Sequence, residues 1–510
     1  MPMMNGFVPR RLQPWIYVVF ALLFQLTGGV YAGALPHMMG DMCLMREDVL
    51  MIVLCGVVGV NMPFPFLFRF KFRFTNRTLL TTAALVIAAC DVLVMTTESL
   101  PVLCALSYVA GFFKLCGTFE CMSNIQLWMT PKRDFAIFFP LLYCIVLGDM
   151  SLSPWITLQL NYLFQDWHTM QWFMAGLMLC VALTVQLLTH HFRFMKPLPL
   201  ISVDWLGCLL WSALMLEIIF LFNYGEYYNW TQAAVWRTVA WMLPVTAYFC
   251  IGRMLHIRHP FIAPGAWRYK RLFPLLGLFV LLELCSSTPK VLQSTFTGSI
   301  LGFGHMTTAR FYLVEWSGTI VGCLFVLVWI KLLHQKFTRL LTVGTLALVG
   351  YEVICYFLVS PGISIERFYL PLFLRTFGVA IFFTALTIYL EEIMPFQHFF
   401  MGLTMVGLIR NGVVETIGSG VYSHLLRHHV AENLSRALPY LPDQALMVSL
   451  KQLFGATCIG GVIVLMAFLL WDIQPVRDTL RRMPYWNVIG RAAKKALRRR
   501  KGNEKIEIVK

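Results

Sequence analysis

The chain has little charge for its size. Only 13% of its 510 residues are Asp, Glu, Lys or Arg, against about 25% in a soluble domain. Acid is the scarcer sign, 25 Asp and Glu against 41 Lys and Arg. No GxxxxGK[ST] phosphate loop occurs, which argues against an ATP-driven pump. HExxH, GxSxG and other compact catalytic motifs are missing too, so no enzyme active site can be assembled. No CxxC occurs among the 14 cysteines. Most of them (Cys55, Cys90, Cys104, Cys144, Cys180, Cys208, Cys250 and Cys458) sit in apolar stretches, as small apolar residues rather than a disulfide framework. The first apolar stretch runs into Gly28, Gly29 and Gly33 without a clear cleavage site, so it reads as a membrane span and not a signal peptide.

What remains is hydrophobic. Apolar residues make up 58% of the sequence and the mean hydropathy is +0.70, the composition of an all-α polytopic membrane protein. The net charge of +16 does not indicate nucleic acid, because the positives fall in short loops and a tail, as membrane topology requires.

The chain is organised around Asp204–Trp230, an apolar span entered by Asp-Trp-Leu-Gly and left by Asn-Tyr-Gly-Glu-Tyr-Tyr-Asn-Trp. Six spans precede it, near Trp15–Leu35, Val49–Phe68, Leu79–Met95, Pro101–Ile125, Phe135–Leu158 and Gln171–Leu188. Seven follow, near Trp236–Ile251, Leu272–Lys290, Thr308–Ile330, Leu340–Val359, Phe368–Leu390, Phe399–Leu425 and Leu453–Trp471. The expected architecture is therefore about 14 transmembrane helices in a 6 + 2 + 6 arrangement. Its parts are an N-terminal half (1–200), a central two-helix insert (201–260), a C-terminal half (261–475) and a basic tail (476–510). Alternate counting from Arg10 and Arg11 puts the loops with Arg69, Lys71, Arg73 and Arg77, with Lys132 and Arg133, with Arg193 and Lys196, with Arg253–Arg271, and with Lys331, Lys336 and Arg339 on the side of the tail. Both termini are expected to be cytoplasmic, and the tail is expected to touch anionic lipid.

Several motifs resemble those of the fourteen-span drug:proton antiporter branch of the major facilitator superfamily, the Emr and Qac type. Asp204, Trp205 and Gly207 resemble that family's opening of span 7; Gly225 and Trp230 resemble its close. Arg258–Phe273 is similar to the family's link into its second half. Ala34-Leu35-Pro36, Lys132-Arg133, Pro154, Trp167, Trp172, Gly378–Phe383, Arg410 with Ile417-Gly418, His428-His429 and Asp443-Gln444-Ala445 follow in family order over some 470 residues. The chain departs from the pattern at Thr27, where the family has a span 1 Asp, and at Ser107, in place of a span 4 Arg. In the loop between spans 2 and 3, Arg73 and Arg77 match, but Phe68 and Thr75 replace the two glycines, Phe72 the Asp and Asn76 an Arg. The glycines after Pro154 are absent, and Arg410 lies one residue out of register with Gly418.

An ionisable group inside a span costs at least ~2.5 kcal/mol, so each asks for a reason. The resemblance implies that spans 1, 4, 9 and 12 line the cavity, which singles out Glu120, Lys114, Glu283 and Arg375. Asp149, Glu315 and Glu415 come next, while Glu217 and Glu352 should be peripheral. One or more of the carboxylates would exchange protons, or each would lock a helix contact in a structural ion pair. Phe and Met in the spans would line a cavity for lipophilic substrates or, more often, pack against lipid and neighbouring helices. Gly29 and Gly33 form a small-residue pair for close helix packing. His190-His191 and His428-His429 lack a convergent metal-ligand set, and no cofactor is expected.

The resemblance implies a secondary active transporter in a bacterial cytoplasmic membrane, exporting lipophilic or amphipathic molecules by proton antiport and alternating access. Its partners would be a small-molecule substrate, protons and the bilayer, together with a periplasmic adaptor protein and an outer-membrane channel. The loss of the span 1 Asp and the span 4 Arg favours a second reading, a facilitator or an exporter of one endogenous lipid or metabolite. A third is a non-transporting sensor or assembly subunit, which would show a closed, apolar interior with every charge paired.

Overall fold

A computed structural model describes residues 3–27, 32–130, 134–193, 199–200, 203–331, 337–436 and 442–472. Gly28, Gly29, Lys132, Arg133, Lys196, Lys336 and the tail 476–510 lie outside the described residues. Among the described residues there is no strand, only one isolated bridge between Met4 and Thr189.

The first half runs through α1 (Gln13–Leu26), α2 (Leu35–Asp41), α3 (Arg46–Asn61), α4 (Leu67–Arg73), α5 (Asn76–Met95), α6 (Leu100–Met129), α7 (Phe135–Phe164) and α8 (Trp167–Leu188). The central pair is α9 (Trp205–Asn223) and α10 (Ala234–His256). The second half comprises α11 (Leu272–Thr288), α12 (His305–Lys331), α13 (Phe337–Leu358), α14 (Tyr369–Ile393), α15 (Phe396–Ile409), α16 (Glu415–Arg436) and α17 (Pro442–Asp472).

Among the described residues, twelve helical segments are long and apolar enough to cross a bilayer, and they coincide with spans 3 to 14 of the sequence reading. The first two spans are broken. α1 has 14 residues and α3 has 16, which at ~1.5 Å per residue fall short of a ~30 Å hydrocarbon core. α3 stops because Pro63 and Pro65 cannot donate backbone hydrogen bonds. The chain turns there, Phe66 N–H donating to Pro63 O at 2.8 Å, and restarts as α4. Span 9 is longer than hydropathy indicates. α11 continues through two π turns, Pro289–Gln293 and Phe296–Ile300, so Lys290 lies inside the span rather than at its end. Span 13 is likewise α15, a π turn at Arg410–Val414, and α16.

Each half has its own apolar core. Tyr17, Phe24, Ile87, Cys121 and Met178 pack together in the first, and Phe296, Tyr351, Phe368, Leu450 and Phe454 in the second. The halves meet along α7 against α12 and α14, and along α3 against α15. A Cβ on Gly407 would lie 2.7 Å from Asn61 Oδ1, so α15 approaches α3 more closely than a side chain there would allow. Near the end that carries the basic loops the seam is aromatic. Phe400 sits 4.4 Å from Phe68 and 5.7 Å from Phe119 between ring centroids, and Phe399 lies 5.7 Å from Phe139. At that end Lys331 also pairs with Asp134 across the halves. α10 packs on α9 and turns Trp241, Val245, Tyr248 and Leu255 outward, as a lipid-facing helix does.

Candidate functional site

Spans 9 and 13 bring four charges together against the seam. Glu283 on α11 accepts from Arg410 Nε at 2.9 Å, and both side chains are largely buried. Arg410 opens the π turn of span 13, and its guanidinium carbon stands 4.0 Å from the centre of the Phe383 ring, a cation–π contact. Phe383 in turn packs 4.6 Å from Tyr143 on α7, whose hydroxyl donates to Thr387 Oγ1 at 3.2 Å. The pair therefore touches the other half through one ring. Lys290, in the first π turn of span 9, pairs with Glu415, which follows the π turn of span 13. Gly412, between the two pairs, has φ +94°, a conformation open to Gly and strained for other residues. π turns concentrate at functional sites because they interrupt regular helix hydrogen bonding. Here they occur in both helices that carry the charges.

The other candidates fall into separate places. Arg375 Nη2 donates to Glu315 at 2.6 Å, joining α14 to α12. Lys114 on α6 interacts electrostatically with Asp149 on α7 and Asp91 on α5. Glu120 is not in that group. Its carboxylate accepts from Lys71 Nζ at 3.2 Å and from Asn124 Nδ2 at 3.3 Å. Lys71 also contacts Ser123 and Asn124, and Asn124 reaches Asn76, which donates to the Tyr17 hydroxyl. Lys71, read in the sequence as part of a basic loop, is buried because α4 turns it inward onto α6. Glu217 accepts from Thr246 within the central pair. Glu352, expected to be peripheral, is buried in the second half and accepts from Thr288 at 3.0 Å and Thr457 at 2.8 Å.

The residues matched by motif are mostly structural joints. The Asp204 carboxylate caps α9 through Gly207 N–H at 2.9 Å, takes Arg253 of α10 at 2.8 Å, and accepts Phe261 N–H at 3.1 Å. One side chain thus fastens the central pair to the link into the second half. A Cβ on Gly207 would fall 2.1 Å from Asp204 Oδ2, which accounts for the glycine. Beyond α9, Trp230 N–H donates to Gly225 O at 2.7 Å, and its indole donates to Glu226 at 3.1 Å. Glu226 also meets His424 and Arg427 of α16, while Tyr224 donates to Asp48 at 2.6 Å, so this turn bridges both halves. Gly418 lets α16 lie against Ser287, whose Oγ would be 2.2 Å from a Cβ. Arg77 donates to Gln186 at 2.6 Å, Arg73 is exposed, and Pro154 lies inside α7. Gly33 packs its backbone on α7, donating to Thr157 Oγ1 and accepting from Asn161 Nδ2.

No family model and no curated protein matches the sequence. The structure does have likenesses. It superimposes on a mutant of the nucleoside transporter NupG with a TM-score of 0.55 at 11% identity, covering 90% of this chain and 99% of that one. On the human organic anion transporter MFSD10 the TM-score is 0.52 at 12% identity, covering 89% and 99%. This is the major facilitator fold. At these identities the likeness extends to the architecture. The four-charge cluster lies where the two halves of this facilitator fold face each other.

Lys71, Lys290, Tyr143 and the pocket beside Glu352 were not singled out by sequence. Lys290 looked like a span end because a charge closes the hydropathy window. Lys71 carried no local sign of its partner 49 residues on. Among the described residues no group of three or more His, Cys, Asp or Glu is placed to hold a metal ion.

Proposed function

We propose that the chain is a secondary transporter of small amphipathic molecules, alternating closure between its two halves, with Glu283, Arg410, Lys290 and Glu415 as the coupling site. The observation that carries this reading is the placement of two opposed ion pairs on the two π-interrupted spans, against the Phe383–Tyr143 contact across the seam. A carboxylate that loses its cation inside an apolar wall takes up a proton, so separating a pair when the halves rock couples proton binding to the motion. The aromatic seam at the basic-loop end supports a conformation closed on that side. The positive-inside pattern makes that side cytoplasmic, and the proposed setting is a bacterial cytoplasmic membrane with export as the direction. An adaptor and an outer-membrane channel belong to the same proposal, and co-purification tests them.

Two observations favour a facilitator without proton coupling. Thr27 spends its hydroxyl on Leu23 O at 2.7 Å, and buried Ser107 packs on Gly56, so both positions where the antiporters carry a charge are neutral. Pairing of the intramembrane charges suits a non-transporting subunit, but the Lys290 side chain is 58% exposed. An ammonium open to hydrocarbon would be costly, which favours a water-filled cavity.

The test is transport in proteoliposomes with an imposed proton gradient and a panel of lipophilic cations, bile salts and fatty acids. Substrate-triggered collapse of the gradient, lost in Glu283→Gln, supports antiport at this site. Substrate movement without proton movement selects the facilitator. No movement of any probe counts against transport of amphipathic molecules.

A further inference from the structure

The second half contains a cavity that the coupling site does not use. It measures about 420 Å³ and lies among α11, α13, α14, α16 and α17. That is within the ~300–1,000 Å³ range of ligand pockets. Its walls are apolar, from Leu284, Leu348, Phe382, Leu425 and Leu453. One corner is polar. Glu352 presents its carboxylate there, held by the hydroxyls of Thr288 and Thr457, with Tyr422 beside it. Among the described residues no cation pairs with this carboxylate. Arg375 also lines the cavity; its Nη2 is bonded to Glu315 on α12, and its charge acts on Glu352 as well. Across Glu352, Arg375 and Glu315 the local charge sums to −1. Two carboxylates that share one guanidinium are incompletely compensated.

One wall of the cavity is α17, an outer helix only 11% buried over its most apolar stretch. Gly460 and Gly461 form part of the wall there. A Cβ on Gly460 would meet nothing within 4 Å, so a side chain at that position has open space to occupy. An apolar cavity with one acidic corner and one wall on an outer, exposed helix suits a ligand that arrives through the bilayer.

We propose that this cavity binds an amphiphile with a primary ammonium head and one apolar chain, the head on Glu352 and the chain along α13 and α17. The site lies within one half, apart from the seam, and its occupancy does not depend on whether the protein transports. The ammonium supplies the second positive charge that Glu352 and Glu315, sharing Arg375, lack, and its three N–H donors suit the Glu352 carboxylate and the Tyr422 oxygen that line the same cavity. An ethanolamine-headed lipid and a free alkyl amine share this chemistry.

The experiment measures equilibrium binding of radiolabelled dodecylamine to the full-length protein in nanodiscs of choline-headed lipid, with dodecanoate and dodecanol as competitors. Saturable binding is expected, weakened about tenfold or more by Glu352→Gln and lost in Gly460→Leu, which adds a bulky side chain to the cavity wall. Neither competitor should displace the amine. Competition from ethanolamine-headed lipid doped into the discs would identify a lipid as the natural occupant. Its failure to compete would identify a free amine. Glu283→Gln should bind dodecylamine as the parent does, which separates this proposal from the transport reading. Equal binding in both pocket variants, equal displacement by dodecanoate, or no saturable binding at all would overturn it.

Discussion

Two charge sets, one in each half, are held by opposite means. In the first, Lys71 and Glu120 are sunk together in a set of neutral partners, Ser123, Asn124, Asn76 and Tyr17. In the second, Glu283–Arg410 and the adjoining Lys290–Glu415 are ion pairs that link spans 9 and 13. A charge held by several neutral groups loses little when one contact lengthens, because the others share it. A charge held chiefly by one opposite charge changes state when that contact breaks. The first arrangement suits a fixed joint and the second an exchangeable one.

The comparison breaks most completely if the halves cannot part. Cys144 on α7 and Cys323 on α12 bring their thiols together across the seam. Oxidising them with copper–phenanthroline should stop turnover entirely, and a reductant should restore it. Cys323→Ser should be immune. Full activity of the oxidised protein would mean that α7 and α12 stay together throughout the cycle.

A second test sets joint against exchanger. Lys71→Ala strands Glu120 and should cost about 3–5 kcal/mol of stability, read as a lowered melting temperature in detergent. Arg410→Ala should lower it less, since Glu283 takes up a proton once its cation is gone, yet it should abolish coupled transport. Equal melting shifts would erase the distinction.

The smallest effect falls on an element outside both networks. Asp166 caps α8, accepting from His168 N–H at 3.0 Å and Thr169 N–H at 3.3 Å. A slight burial penalty acts on this carboxyl, but the His168 and Thr169 hydrogen bonds together hold it below the usual carboxylate range. With its folded value depressed, its contribution is full above the unfolded value of ~3.9 and is lost as pH falls through the lower folded value. Asp166→Ala should cost about 1 kcal/mol at neutral pH and should make no difference in strong acid. A pH-independent loss would assign the effect to packing.

The sequence foretold what local patterns encode. Apolar length marked the spans, and alternating basic loops fixed their parity. The Asp204–Gly207 and Gly225–Trp230 motifs marked the joints of the central pair, although their task as fasteners appears only when Arg253 and Phe261 converge on Asp204. What it hid was pairing across distance. Glu283 and Arg410 lie 127 residues apart and Lys71 and Glu120 lie 49 apart; no periodicity announces such partners. The bends were hidden as well. A hydropathy window registers neither the stop at Pro63 and Pro65 nor the π turns that carry span 9 past Lys290. The pocket beside Glu352 was hidden for a related reason: its walls come from five helices, and none of them predicts a cavity alone.

Those π turns leave spans 9 and 13 with spare backbone. Each holds one residue more than regular α winding needs. Absorbing that residue would spin the remainder of the helix by about 100° about its own axis. The portions beyond Gln293 and Val414 could then change face without tilting. Arg410 and Glu415, at the two edges of one such turn, would fall out of phase with each other. The second half would thus work like a combination lock, its tumblers set by the winding of two helices, with a discrete click between positions in place of a smooth swing.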